Sequence, residues 1–129
     1  MAKFLLDTHI FIWADSEPNK LSHNVQNILL DDSNQIYLSM VSLWEMQIKI
    51  QLGKLVLNTP LKQAVDRIKQ NQSYQILPIY EQDLWTLETL PFYHKDPFDR
   101  LLVAQAINSD LTLITVDEHI IKYDVCHTS

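Results

Sequence analysis

The sequence predicts an α/β domain built on a mostly parallel sheet, and three observations carry that reading. Short apolar runs recur at residues 3–7 (KFLLD), 36–38 and 111–115 (LTLIT), each the length of a buried strand. Segments with apolar residues at helical spacing lie between them, joined by short connections with no linker, repeat or low-complexity stretch. Acidic residues stand at or just beyond the ends of the strand-like runs, where open parallel sheets bind their ligands. The 129 residues form one domain, large enough for a hydrophobic core without disulfides or a structural metal.

Taken in order, the first strand ends at Asp7, and residues 8–14 (THIFIWA) form a short helix. Residues 15–20 are a polar turn around Pro18. Ser22 caps a helix through Leu30, with Leu21 as a staple and Val25, Ile28 and Leu29 inward. After a turn at 31–35 comes the second strand, and Ser39 caps the next helix. There Val41, Trp44 and Ile48 share the core face, so Trp44 reads as a packing residue. Gly53, the single glycine, stops that helix. Thr59 and Pro60 open a helix whose buried stripe is Leu61, Ala64, Val65 and Ile68. A third strand at 75–79 ends near Pro78. Residues 81–90 form a helix with Leu84 and Leu87 inward, and with Trp85 either inward or exposed on a protein interface.

The stretch HKDPFDRLLVAQA at 94–106 opens the next helix. Pro97 suits a first turn, Asp96 precedes it as N-cap, and Asp99 lies among the unpaired first-turn amides. Phe98, Leu102, Val103 and Ala106 line its buried side. The strand at 111–115 follows, then Asp117, at most one helical turn at 118–122, and a short edge strand at 123–127.

Topology thus allows four regions to deliver carboxylates to one edge of the sheet. Asp7 ends the first strand, Glu45 lies at the border of an apolar helix stripe, Asp99 begins a helix, and Asp117 follows the last long strand. A carboxylate facing inward needs a cation or a proton. Clustered oxygens without sulfur suit a hard ion such as Mg²⁺ or Mn²⁺. The alternative is a set of separate caps and surface acids, with Glu45 paired to Lys49 at i+4.

The net charge is −6, from 10 Lys+Arg and 16 Asp+Glu, which argues against a non-specific nucleic-acid binder. Setting aside Asp7, Glu45, Asp96, Asp99 and Asp117 leaves 11 acids against 10 bases, so a cation held by those acids removes the objection. Lone Cys126 has neither a disulfide partner nor a second thiol for zinc, as expected of a cytoplasmic protein. Asp7 and His9 interrupt the apolar start, so it does not read as a signal peptide. No apolar run approaches the roughly 20 residues of a membrane span.

Four stretches together resemble the PIN-domain family, and specifically the toxin ribonucleases of the VapC type. These are LLDTHIFIWA at 5–14, SMVSLWEMQIKIQLGKL at 39–55, HKDPFDRLLVAQA at 94–106 and LTLITVDEHIIKYDV at 111–125. The resemblance implies a PIN-like three-layer sandwich, with a mostly parallel sheet of four or five strands between helices. It also implies an endoribonuclease dependent on Mg²⁺ or Mn²⁺, neutralised by a small cognate antitoxin and assembled as a homodimer or toxin–antitoxin hetero-oligomer.

Carried over position by position, Asp7, Glu45, Asp99 and Asp117 match the family's metal-binding, catalytic acids. Asp117 would contact the metal directly or through water. Asp96 either extends the pocket or caps its helix, and we favour the cap. Thr8 and Thr115 are expected to support a carboxylate or bound water. Arg100 either pins the acids or holds a phosphate. His94 and Lys49 are candidate substrate contacts, set against ordinary surface roles. His119 reads in the same way as His94. The competing functions are a metal-dependent DNA nuclease and a catalytically silent PIN-fold interaction module.

Overall fold

Leu5 and Leu6 set the architecture, because adjacent residues of an extended strand point to opposite faces of a sheet. In the computed structural model, which describes residues 2–129, they enter two different cores. Leu5 and Leu113 pack on one face with Leu101, Leu102 and Ala106. Leu6, Ile36, Leu38 and Ile114 pack on the other with Ile10, Phe11, Val25 and Met46. A sheet apolar on both sides must be covered on both sides, which gives three layers.

The strands are β1 (Lys3–Leu6), β2 (Gln35–Ser39), β3 (Tyr74–Leu77), β4 (Thr112–Ile114) and β5 (His127–Thr128), ordered β3-β2-β1-β4-β5 and all parallel. Phe4 is in register with Ile36 on one side and Thr112 on the other. The helices are α1 (Thr8–Ser16), α2 (His23–Leu30), α3 (Met40–Gln51), α4 (Leu61–Lys69), α5 (Glu81–Leu87) and α6 (Pro97–Ser109). Short 3-10 turns occupy Pro18–Lys20 and Ile120–Lys122. The chain leaves β1 toward β2 and β3, then returns past β1 to add β4 and β5. The order therefore reverses between β1 and β4, and the crevice beyond their carboxyl ends is where such sheets hold ligands.

Several local readings hold. Ser22 accepts from the Val25 amide at 3.1 Å, and Ser39 from the Val41 amide at 3.0 Å, so both hydroxyls cap. Gly53 takes a positive φ of 72° after α3, while the Lys54 amide reaches back to the Lys49 carbonyl at 2.8 Å. Pro78 lies immediately past β3.

Other expectations are corrected. Trp44 is 56% exposed, whereas the buried side of α3 carries Val41, Ser42, Glu45 and Met46. The helix is turned by the polar bonds of Ser42 and Glu45, and the indole packs edge-on against Phe98 at 5.1 Å between centroids. Leu84 also faces outward, and Trp85 takes the exposed one of its two alternatives. Buried Asp83 accepts from the Tyr80 amide and from Asn108, which brings Asp83 inside beside Leu87, inward as expected. α5 is correspondingly shorter than the 81–90 span. Thr59 does not cap α4, which starts after Pro60; its hydroxyl accepts from Arg67. The last strand is His127–Thr128, displaced toward the end of the 123–127 region.

Ser39 ties the layers together. Besides capping α3, its hydroxyl donates to the buried amide oxygen of Gln105 on α6. Ser39→Ala removes both bonds and is expected to cost about 2 kcal/mol in urea unfolding. A change below a few tenths of a kcal/mol, on the scale of a neutral surface substitution, would contradict this assignment.

Candidate metal centre

Strand ends and helix starts deliver the site. Asp7 directly follows β1 and occupies the N-cap position of α1, yet its side chain makes no capping bond. Its carboxylate turns toward β4, where Oδ2 accepts from the Thr115 hydroxyl at 2.8 Å. That bond spans the crevice between β1 and β4. Oδ1 is buried and has no hydrogen-bond partner. An ionised oxygen left bare in the interior is costly, so this atom is suited to a cation.

The next residue secures α3. Thr8 donates to Glu45 Oε1 at 2.9 Å, and its hydroxyl lies 2.8 Å from Ser42 Oγ. Glu45 is only 2% exposed, and its Oε2 accepts from Lys49 Nζ at 2.6 Å. The Glu45–Lys49 alternative raised by the sequence is thus present, but with one partner in the interior. Burial pulls the Lys49 ammonium down, and the Glu45 bond and charge, with the fields of Asp96 and Asp99, outweigh it and hold its pKa above the usual lysine value. Lys49 supplies positive charge inside the acidic set.

At the start of α6, Asp96 Oδ1 accepts from the amides of Phe98 at 2.8 Å and Asp99 at 3.2 Å, the favoured capping role. Asp99 is pushed up to about 8, first by burial and then by the charges of Asp7, Asp96, Glu45 and Asp117. Burial likewise raises Asp7, against the Thr115 bond. Asp117 behaves oppositely. Partial burial pulls it upward, but hydrogen bonds from His94 and from the His119 amide prevail and hold it below the usual carboxylate value.

His94 joins these elements. Its Nε2 lies 2.9 Å from Asp117 Oδ2 and 3.1 Å from Asp99 Oδ2. Among the described residues, His94, Asp99 and Asp117 each bring one ligand-type atom within 4.8 Å of the others. Asp7 and Glu45 are outside that group and act on Asp99 through their charge. Thr115 also fixes Asp117, whose amide donates to the threonine hydroxyl at 3.0 Å.

Arg100 engages neither the acids nor the crevice. Its Nη2 donates to the carbonyls of Leu87 at 3.3 Å and Leu90 at 3.0 Å, and the guanidinium lies 4.1 Å from the Phe92 ring centre. It anchors the loop leading to His94. Sequence reasoning missed Ser42, Tyr123 and Gln105. Ser42 was accessible from spacing alone, being three residues before Glu45 on the same helix face; the other two act across the fold.

A doubly wound parallel sheet with a His94–Asp99–Asp117 cluster able to coordinate a metal, beside buried Asp7 and Glu45, defines an α/β domain with a candidate cation site at its switch point. The chain belongs to the PIN domain family, whose model matches residues 4–125. No curated protein matches the chain. Among solved structures, a chain of the Rickettsia felis VapBC2 complex bound to a DNA fragment from its promoter is similar, with a TM-score of 0.74 at 18% identity. That match covers 98% of this chain and 97% of the other. A chain of DNA-bound VapBC from Salmonella typhimurium gives 0.65 at 16% identity, covering 99% and 98%. A chain of FitAcB from Neisseria gonorrhoeae gives 0.64 at 21%, covering 98% and 96%. At these identities the likeness shows the fold.

The raised acids make stability depend on pH. Asp99 holds its proton to about 8 in the folded chain, against 3.8 for the free side chain. Between these values the unfolded chain binds fewer protons, so stability is greatest at the acid end, falls as pH rises and levels off above about 8. Asp7 acts in the same direction. The melting temperature of the metal-free protein, scanned across this window, should decline less in Asp99→Asn than in the parent. Equal slopes would contradict the account.

Proposed function

We propose that the protein is a Mg²⁺- or Mn²⁺-dependent endoribonuclease and the toxin of a toxin–antitoxin pair. The observation that carries this reading is the bare, buried Asp7 Oδ1, together with an Asp99 held up to about 8 first by burial and then by the charges of Asp7 and the other acids. Such a concentration of oxygen ligands and negative charge is relieved by a hard divalent cation.

Asp7 and Asp99 would hold the ion first, with Glu45 contributing as Lys49 yields its oxygen, and Asp117 binding directly or through water. The ion, when bound, supplies a water of lowered pKa and positive charge against the phosphoryl group. The chain's own residues orient that chemistry. Thr115 fixes the rotation of Asp7 and the backbone approach of Asp117. Thr8 and Ser42 fix Glu45. Lys49, released from Glu45, becomes available to an RNA phosphate, the substrate-facing role considered for it. Arg100, committed to carbonyls of the preceding loop, supports the site from behind.

The antitoxin reading is supported by the company of the similar chains, which belong to VapBC and FitAB assemblies. It is also supported by an apolar cavity of about 220 Å³ among the early helices, lined by Leu6, Phe11, Ala14, Leu29, Ala64 and Ile68. The Asp15–Arg67 ion pair, at 2.9 Å, joins residues of its lining. An apolar helix or strand of a small antitoxin would fit there. Exposed Trp85 and Leu84 on α5 favour a further protein contact, in a homodimer or the hetero-oligomer. A toxin that acts on RNA and is held by its antitoxin would work in the cytoplasm, the compartment this reading assigns; no helix among the described residues is long and apolar enough to cross a membrane.

The test is cleavage of matched single-stranded RNA and DNA oligonucleotides with Mg²⁺, Mn²⁺ or chelator. RNA should be cut only with the ion. Asp7→Asn and Asp99→Asn should each lose at least about 100-fold while keeping the parent circular dichroism spectrum. Preferential cutting of DNA would favour the DNA nuclease. Absent cleavage with weak or absent metal binding would leave a silent interaction module.

A further inference from the structure

We propose that His94 is a positioning residue that works as a hydrogen-bond donor, its Nε2–H holding Asp117 beyond β4 beside Asp99 on α6, and that it does not ligate the cation. The proposal deepens the cation-site reading and assigns the histidine one of two opposite roles.

The assignment follows from the other ring nitrogen. Nδ1 faces the backbone N–H of Asp96 at 3.1 Å, so it must present a lone pair. A neutral imidazole with its lone pair at Nδ1 carries its proton on Nε2. Nε2 in turn bonds to Asp117 Oδ2 at 2.9 Å, with Asp99 Oδ2 3.1 Å from the same nitrogen. A histidine that binds metal is wired the other way: its free nitrogen faces the ion while its N–H points to a carbonyl or carboxylate. Here the nitrogen opposite the carboxylates meets a donor. The three residues satisfy the distances of a metal group, but the ring is set to donate to Asp117.

The surroundings keep it so. The His94 amide donates to the hydroxyl of buried Tyr123 at 3.0 Å. Asp96 is fixed as the cap of α6, and Arg100 holds the preceding loop by the Leu87 and Leu90 carbonyls. Turning the ring over would put carbon where both nitrogens now bond. Asp99 and Asp117 come from different layers of the fold, and the ring stands between them, bonded to Asp117 Oδ2 and 3.1 Å from Asp99 Oδ2, so Asp117 is held in place with its remaining lone pairs left for an ion.

Full-length protein labelled with ¹⁵N-histidine tests this by the two ring-nitrogen shifts of His94, assigned by their loss in His94→Gln. We expect a protonated Nε2 and an unprotonated Nδ1 without Mg²⁺ and at saturating Mg²⁺. A proton on Nδ1 with Nε2 turned to the ion would overturn the proposal and leave the nuclease reading intact. Calorimetric titration with Mg²⁺ gives the second readout. His94→Ala should weaken binding by about tenfold or more, and His94→Gln, whose amide N–H reaches a position near Nε2, should restore most of it. Glutamine no better than alanine, in variants with parent melting temperatures, would count against a donor role. If the parent takes up no Mg²⁺, the nuclease reading fails, while the metal-free spectrum still decides which nitrogen carries the proton.

Discussion

The bond between Thr115 and Asp7 is the constraint on which the rest of the site depends. It joins the residue after β1 to the residue after β4, across the point where the sheet reverses its order. By taking one oxygen of Asp7 it aims the other into the interior with no protein partner. The pocket is therefore built around an unmet electrostatic demand. The three-layer fold makes that demand possible, because both faces of β1 are covered and water is kept from the carboxylate.

Around this centre the protein meets like-charge repulsion in three different ways. Glu45 is neutralised by Lys49 and oriented by Thr8. Asp117 is held ionised by donors from His94 and the His119 amide, which outweigh its partial burial. Asp99, pushed up first by burial and then by its neighbours' charges, retains a proton to about 8. Asp99 and Asp117 thus occupy opposite protonation environments before any ion arrives, with Glu45 held in an ion pair beside them. A cation would collapse those differences by giving all of them one positive partner.

Much of this was legible in the chain. Asp7 and Asp117 follow apolar runs, and parallel sheets place such positions at one edge, so their convergence follows from strand order. The Asp96 cap and the Gly53 stop follow from local backbone chemistry. Glu45 was readable as a border residue, but Trp44 beside it misled: its size suggested a core position, while the helix is turned by Ser42 and Glu45, whose bonds to Thr8 lie on another element. Leu84 failed for the same reason, since Asp83 claims the interior through the Tyr80 amide and Asn108. The direction of Arg100 and the tautomer of His94 rest on backbone groups of a loop without periodicity, and such a loop leaves no pattern in the sequence. Apolar spacing finds faces; it does not find which polar group rotates a helix within its layer.

The central claim is that segments distant in the chain share one divalent ion. A crystal structure of the protein soaked with Mn²⁺, with the ion located by its anomalous scattering, tests this most directly. The account predicts a peak coordinated by Asp7 Oδ1 and Asp99, with Glu45 and Asp117 in the inner set or one water away. An empty pocket at saturating Mn²⁺, or an ion bound elsewhere while Asp7 Oδ1 stays bare, would contradict it.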